Sequence, residues 1–247
     1  MHRSAPRLTR ILACAAVPVM LVVAGCSSDS DSTGDKSGST DASAQSPSAA
    51  SSPQPAAKPT PSVAPAKYTK LPDACKAITG ETVEDLVPEV KNEKGTPGKS
   101  SDVDSRGSCA WNGLDDNGVK GSQYRWLDIS LLRYESDPSL GSGEQRAQAN
   151  YTKEVAKVKA TEGATSIKTS PAAGVGNEST AVSYGLKKTG EDFKYAAIVT
   201  RTENVLITVS YNGAGYAGAK TPTPSDLMDD AVTASKEAVA AVAAANK

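Results

Sequence analysis

Alternation of apolar and polar side chains predicts a set of strands in the second half of the chain. Along residues 124–134, Leu127, Ile129 and Leu131 share one face, as expected of a half-buried strand. The opposite face carries Trp126, Asp128, Ser130 and Leu132. Similar patterns predict strands at 108–111, at the start of 167–187, and at 179–187, 195–201 and 204–211.

Helical spacing is found on both sides of these strands. Ser142 and Gln145 have the spacing of a capping box, which predicts a helix from Gly143 to Ala160. Thr223 as N-cap and Pro224 at the first helical position predict the last helix. Its expected buried stripe is Met228, Val232, Val239 and Val242. Two short helices are predicted near residues 72–78 and 79–87. The sequence therefore predicts an α+β fold, with a mostly antiparallel sheet of about five to six strands packed with helices and one disulfide.

The N-terminus begins with basic residues and continues as an apolar run over residues 11–24. This run is shorter than the roughly 20 residues of a membrane-spanning helix, so residues 1–25 indicate a signal peptide. Val23-Ala24-Gly25-Cys26 resembles a bacterial lipobox, in which the cysteine receives diacylglycerol and becomes the mature N-terminus. A secretory signal without lipid and an uncleaved anchor are the alternatives. We expect Cys26 to be the lipidation site.

Residues 26–67 are rich in Ser, Ala and Pro and have Val63 as their only large apolar side chain. Such a composition cannot bury enough apolar surface to fold, so it predicts a disordered tether. Residues 68–247 are long enough for one globular domain. The expected location is the extracytoplasmic face of the cell membrane, with diacylglycerol on Cys26 as the membrane partner.

Charge argues against a nucleic-acid partner. Loss of Arg3, Arg7 and Arg10 with the signal leaves 24 of 27 bases against 28 acids, a net charge of −4. The chain also has no cluster of Lys and Arg.

Cys75 and Cys109 are the two cysteines of the predicted domain. An even pair in an oxidising compartment predicts a disulfide. A redox pair or a metal site is the alternative, but the C-x-x-C spacing and further ligands are lacking.

Histidine chemistry is excluded from the mature chain, because the only histidine is His2 in the signal. This excludes histidine triads and the commonest zinc sites. No catalytic residue, metal site or cofactor is predicted, so we expect a protein that is not an enzyme.

Several motifs resemble one family of cell-envelope proteins. They are an early Cys75, the run Arg106-Gly107-Ser108-Cys109-Ala110-Trp111, the turn Gly174-Val175-Gly176-Asn177-Glu178-Ser179 and the strand Val205-Leu206-Ile207-Thr208-Val209. Together these resemble the actinobacterial lipoproteins of the domain-of-unknown-function 3558 type (DUF 3558), from about Leu71 to the C-terminus. Asn177 and Ser179 stand where that family usually has Asp and Ala. The resemblance implies a disulfide-containing α+β lipoprotein and implies no activity.

The leading functional hypothesis is a membrane-tethered binding or interaction domain for an envelope protein or a small ligand. Exposed aromatic side chains are its candidate binding residues: Tyr124, Tyr134, Tyr211 and Tyr216, the last two assigned to a glycine-rich loop at residues 212–218. A solute-binding lipoprotein that serves a transporter is the first alternative. A histidine-free hydrolase that uses carboxylates is the second.

Overall fold

The computed structural model describes residues 62–247. The predicted signal peptide, Cys26 and most of the predicted tether lie outside these residues. The described part has two 3-10 helices, Ala74–Lys76 and Gly118–Lys120. The α-helices are α1 (Gly80–Leu86), α2 (Gly143–Lys159) and α3 (Pro224–Ala244). The strands are β1 (Thr96–Pro97), β2 (Arg106–Asp116), β3 (Ser122–Arg133), β4 (Thr165–Pro171), β5 (Glu178–Lys188), β6 (Glu191–Thr202) and β7 (Val205–Tyr216).

The strands form one antiparallel sheet in the order β1-β2-β3-β7-β6-β5-β4. The α+β class is confirmed, but the sheet has seven strands, so the prediction of five to six was wrong. The additional strand is β1, which lies outside the strands predicted from the sequence. A strand of two residues is too short to show the alternation on which such predictions rest.

The first face of the sheet carries the main core. Leu127, Ile129 and Leu131 are buried there, as the alternation along β3 predicts. Helix α3 packs on this face through side chains spaced three or four residues apart, namely Leu227, Ala231, Ala234, Ala238 and Val242. The predicted stripe of α3 was therefore wrong except at Val242. Small alanine side chains let the helix lie close to the sheet, and this places Met228, Val232 and Val239 at the edge of the contact, where they are partly buried.

Helix α2 packs on the second face of the sheet. The capping box at its start is present, since Ser142 accepts a hydrogen bond from Gln145 and Gln145 accepts one from Ser142. Tyr151, Val155 and Val158 pack against Val199 and Leu206. These contacts cover one end of β6 and β7. The other end of the second face, formed by β3, β7 and β6, is not covered by these contacts.

The predicted disulfide is confirmed: Cys75 is bonded to Cys109. It attaches the first 3-10 helix to β2. Among residues 62–247, no helix has the length and apolar character needed to cross a membrane.

Candidate functional site

A trough of about 640 Å³ lies on the second face of the sheet, and no residue of α2 lines it. Its floor is formed by Ser210 and Asn212 of β7. Their side chains are smaller than the aromatic side chains that make up most of the remaining lining. The registers place Asn212 directly between Trp126 on β3 and Tyr195 on β6. The aromatic side chains of the two flanking strands therefore form the walls of the trough, and β7 forms its floor.

The aromatic residues at one end of the trough pack against one another. The ring centroids of Tyr124 and Phe193 are 5.9 Å apart, in an edge-to-face arrangement. Phe193 also meets the ring of Tyr216 edge-on, with centroids 6.4 Å apart. Ala214 is fully buried in this cluster. Edge-to-face contacts of this kind are favourable, so they hold the half-buried rings of Tyr124 and Tyr216 in fixed positions.

The wall on β6 is fixed by stacking. Tyr195 stacks on Tyr184 of β5, with ring centroids 4.8 Å apart and an angle of 5° between the planes. Lys188 Nζ donates a hydrogen bond of 2.6 Å to the Tyr195 hydroxyl and lies 5.1 Å from the ring centroid. The ammonium group thus lies at the hydroxyl end of the ring, at the rim of the trough. The Tyr195 face that points away from Tyr184 is directed toward β7.

Asp128 is the one carboxyl among the described residues that line the trough. Trp126 Nε1 donates a hydrogen bond of 3.2 Å to Asp128 Oδ2. Burial raises the pKa of Asp128 from 3.8 to about 6, although hydrogen bonds from Trp126 and Ser210 act in the opposite direction. The carboxyl can therefore change its charge close to neutral pH.

Asn212 carries an amide that is not bonded to other described residues and is open to the trough. The residue is 6 % exposed and lies on the floor of the trough. Within residues 62–247 its side chain has no hydrogen-bond partner, whereas the buried amide of Asn204 bonds to Tyr68 and Tyr134. In the described part of the chain, Arg201 Nε is the one fully buried side-chain nitrogen or oxygen without a hydrogen-bond partner, so the Asn212 amide atoms reach the solvent in the trough. The Asn212 amide is thus placed to bond with a molecule in the trough.

The four tyrosines proposed from the sequence are found in three different places. Tyr124 and Tyr216 line the trough. Tyr211 is buried on the opposite face of the sheet, where its hydroxyl donates a hydrogen bond to the Leu86 carbonyl. Its assignment as an exposed residue was wrong, because residues 211 and 212 point to opposite faces of a strand. The expected glycine-rich loop is also corrected, since β7 continues to Tyr216.

Tyr134 lies away from the trough. It follows the end of β3, and the guanidinium carbon of Arg146 on α2 is 6.0 Å from its ring centroid. The side chain packs against the small cluster beneath α2. Tyr134 and the trough residues therefore belong to separate surfaces.

Trp126, Asp128, Tyr195 and Asn212 were not proposed from the sequence as site residues. The alternation along β3 already placed Trp126 and Asp128 together on one face. That signal could have identified them, since a Trp and an Asp are unusual neighbours on a buried surface. No comparable signal joins them to Tyr195 and Asn212. In the described part of the chain, no group of three or more metal-ligating side chains is present.

A comparison with protein families finds a match. The model of the family described as "Protein of unknown function (DUF3558)" matches residues 21–187. No curated protein and no solved structure gives a significant match. The match begins and ends earlier than the resemblance suggested, so strand residues 205–209 and the β6 and β7 parts of the trough lie outside it. Because the match covers about two thirds of the sequence, the chain belongs to the DUF3558 family.

Proposed function

We propose that this protein is a membrane-tethered, extracytoplasmic binding domain that holds a small ligand in the aromatic trough. The observation that carries this proposal is the unpaired Asn212 amide between the Trp126 and Tyr195 walls. A concave site of several hundred Å³, with apolar walls and a few converging polar groups, is the usual form of a ligand site. Asp128 and Ser210 add further polar groups to the floor.

The same trough also suits the alternative hypothesis of a solute-binding lipoprotein that serves a transporter. Its volume, about 640 Å³, is within the range of sites for small molecules. The hydrolase hypothesis has less support, because a carboxylate mechanism of the glycosidase type needs two acids and the described lining of the trough has Asp128 alone.

The ligand proposal is tested by native mass spectrometry of the full-length protein, purified from its own host in mild detergent. We expect an additional mass that is lost on denaturation. Tyr124→Ala should lose this mass, because it removes part of the trough wall. Tyr134→Ala is the matched control, since Tyr134 is also half-buried and lies near the opposite end of β3. Retention of the mass by both variants would place the ligand elsewhere.

Tryptophan fluorescence provides a second test of the ligand proposal. Trp111 is buried on the first face of the sheet and Trp126 lines the trough, so Trp111→Phe leaves Trp126 as the single reporter. A soluble extract of the host envelope should change the emission of this variant. If the wild type carries no additional mass and the extract leaves Trp126 emission unchanged, the trough is not a ligand site.

The anchor is tested separately from the ligand. The lipobox pattern at Cys26 supports lipid attachment, and two acyl chains are sufficient for stable anchoring. Cys26→Ser should move the protein out of the membrane fraction or leave its signal uncleaved. Cys14→Ser, a cysteine change inside the apolar run, should leave the fractionation unchanged. A membrane-bound, normally processed Cys26→Ser protein would refute the lipid anchor.

A further inference from the structure

The charges at the trough favour a neutral ligand. Asp128 lies on the floor and is negatively charged above about pH 6. Lys188 lies at the rim, and its ammonium is held by the Tyr195 hydroxyl at 2.6 Å. The described lining therefore has one carboxylate and one ammonium, so it gives neither an anion nor a cation a net Coulombic advantage at neutral pH. A neutral molecule has no ionic solvation to lose on entering the trough.

The width of the trough favours a ring thicker than a planar aromatic system. Trp126 and Tyr195 are on strands separated by β7, and neighbouring strands are about 4.8 Å apart, so their Cα atoms are roughly 10 Å apart. The Tyr184 and Tyr195 centroids are 4.8 Å apart, which indicates that these two rings project straight from the sheet. Trp126 leans along its own strand toward Asp128, to which its Nε1 donates a hydrogen bond. A flat ring held between two walls needs a separation of about 7 Å, twice the carbon–carbon contact distance of about 3.5 Å. A puckered ring with substituents fills the larger gap.

The polar groups on the floor match hydroxyl groups. The Asn212 amide offers both a donor and an acceptor, and the Asp128 carboxylate offers acceptors. A hydroxyl group is itself both a donor and an acceptor, so vicinal hydroxyls can pair with both side chains. The apolar C–H faces of the same ring can pack against Trp126 and Tyr195, as aromatic walls require.

A second depression lies farther along β3. Its volume is about 570 Å³, and its lining includes Ser108, Ser130 and Leu132 together with the charged side chains of Lys99, Asp102 and Arg106. Ser130 is two residues from Asp128 and points to the same face of the sheet, so the two side chains are about 7 Å apart. The depression therefore offers polar and charged hydrogen-bonding groups for a unit that follows the ring in the trough.

We infer that the trough binds a pyranose ring of a neutral glycan, with the Asn212 amide and the Asp128 carboxylate bonded to its hydroxyls and its C–H faces packed between Trp126 and Tyr195. The inference rests on the proposed function, because it names the ligand class of the same site. Adjacent sugars extend along β3 toward Ser130.

The experiment uses the immobilised full-length protein and two probes from its host. The first probe is the neutral oligosaccharide fraction released from the cell wall by mild acid, and the second is an organic-solvent extract of the same cells. Asn212→Ala is the trough variant. Asn117→Ala is the matched control, because Asn117 is exposed in the β2–β3 connection and makes no side-chain cap bond. Retained material is measured by liquid chromatography and mass spectrometry.

We expect the wild type and Asn117→Ala to retain neutral oligosaccharides, and Asn212→Ala to retain about tenfold less, the effect of one or two lost hydrogen bonds. Asn212→Ala breaks no hydrogen bond within the described residues, so its melting temperature should match that of the wild type. Tyr124→Ala, which removes part of the trough wall, should also retain less oligosaccharide than the wild type.

Two results would overturn the inference, and they differ in their meaning for the proposed function. If material from the organic extract is retained in an Asn212-dependent manner while the oligosaccharides are not, the ligand class is wrong and the binding function stands. If neither probe is retained, or if Asn212→Ala retains as much as Asn117→Ala, both the ligand class and the assignment of the trough as the site fail.

Discussion

Replacing Asp128 with asparagine should raise the free energy of unfolding above about pH 6 and leave it unchanged below about pH 4. Burial on the floor of the trough raises the pKa of this carboxyl from 3.8 to about 6 in the folded protein. Between these two values the folded state binds more protons than the unfolded state. The free energy of unfolding of the wild type therefore falls as pH rises through this window, and the loss is complete above it. Asparagine has no charge to bury and keeps an oxygen that can accept from Trp126.

The size of the effect follows from the size of the shift. A shift of about two pKa units corresponds to roughly 3 kcal/mol, at about 1.4 kcal/mol a unit. Asp128 is partly exposed, and solvent weakens electrostatic effects at such a site, so we expect about 1–3 kcal/mol in favour of Asp128→Asn at pH 7–8.

The assay is urea unfolding of both proteins at intervals from pH 4 to pH 8, with the stability difference taken at each pH. Other titrating groups are present in both proteins and cancel in this difference. Asp102→Asn is the control: a hydrogen bond from Ser105 lowers the pKa of the exposed Asp102, so its replacement should bring no gain at neutral pH. The burial argument would be refuted if the stability difference between the two proteins were equal at pH 4 and pH 8. It would also be refuted if the wild type were more stable than Asp128→Asn at pH 8.

Three further changes test the scaffold. Joint replacement of Cys75 and Cys109 by serine should lower the free energy of unfolding by roughly 3–4 kcal/mol, because the disulfide joins residues 34 positions apart. The reduced wild type should match this variant in urea unfolding. An unchanged urea midpoint would contradict the prediction. Asn204→Ala removes three hydrogen bonds and should cost roughly 2–4 kcal/mol by the same assay; an effect no larger than that of Asn117→Ala would contradict it. Tyr211→Phe should cost about 1 kcal/mol and leave the ligand mass in native spectra unchanged; loss of that mass would link Tyr211 to the trough.

The elements with strong local signals were predicted well. The capping box of α2 at Ser142 and the start of α3 at Thr223 and Pro224 are present as expected. The alternation along β3 also separated its core face from its polar face correctly. Such signals depend on residues within a few positions of one another, so they can be read from the sequence without knowledge of the partner element.

The face of α3 that packs against the sheet could not be derived in the same way. The sequence offers two overlapping stripes on this alanine-rich helix, and the larger Val and Met side chains suggested the wrong one. The sheet selects the stripe that contains Ala231, Ala234 and Ala238, because small side chains allow the closest approach over the strands.

The sequence by itself therefore determined the α+β class, the disulfide pairing, the starts of the long helices and two of the residues at the candidate site, Tyr124 and Tyr216. Only the tertiary structure brought Trp126 and Asp128 to Asn212 and Tyr195, because this contact requires β7 to lie between β3 and β6. Strand order and register join residues more than 80 positions apart. They are selected by the free energy of the whole packed sheet, to which every strand contributes, and local sequence patterns carry little information about that choice.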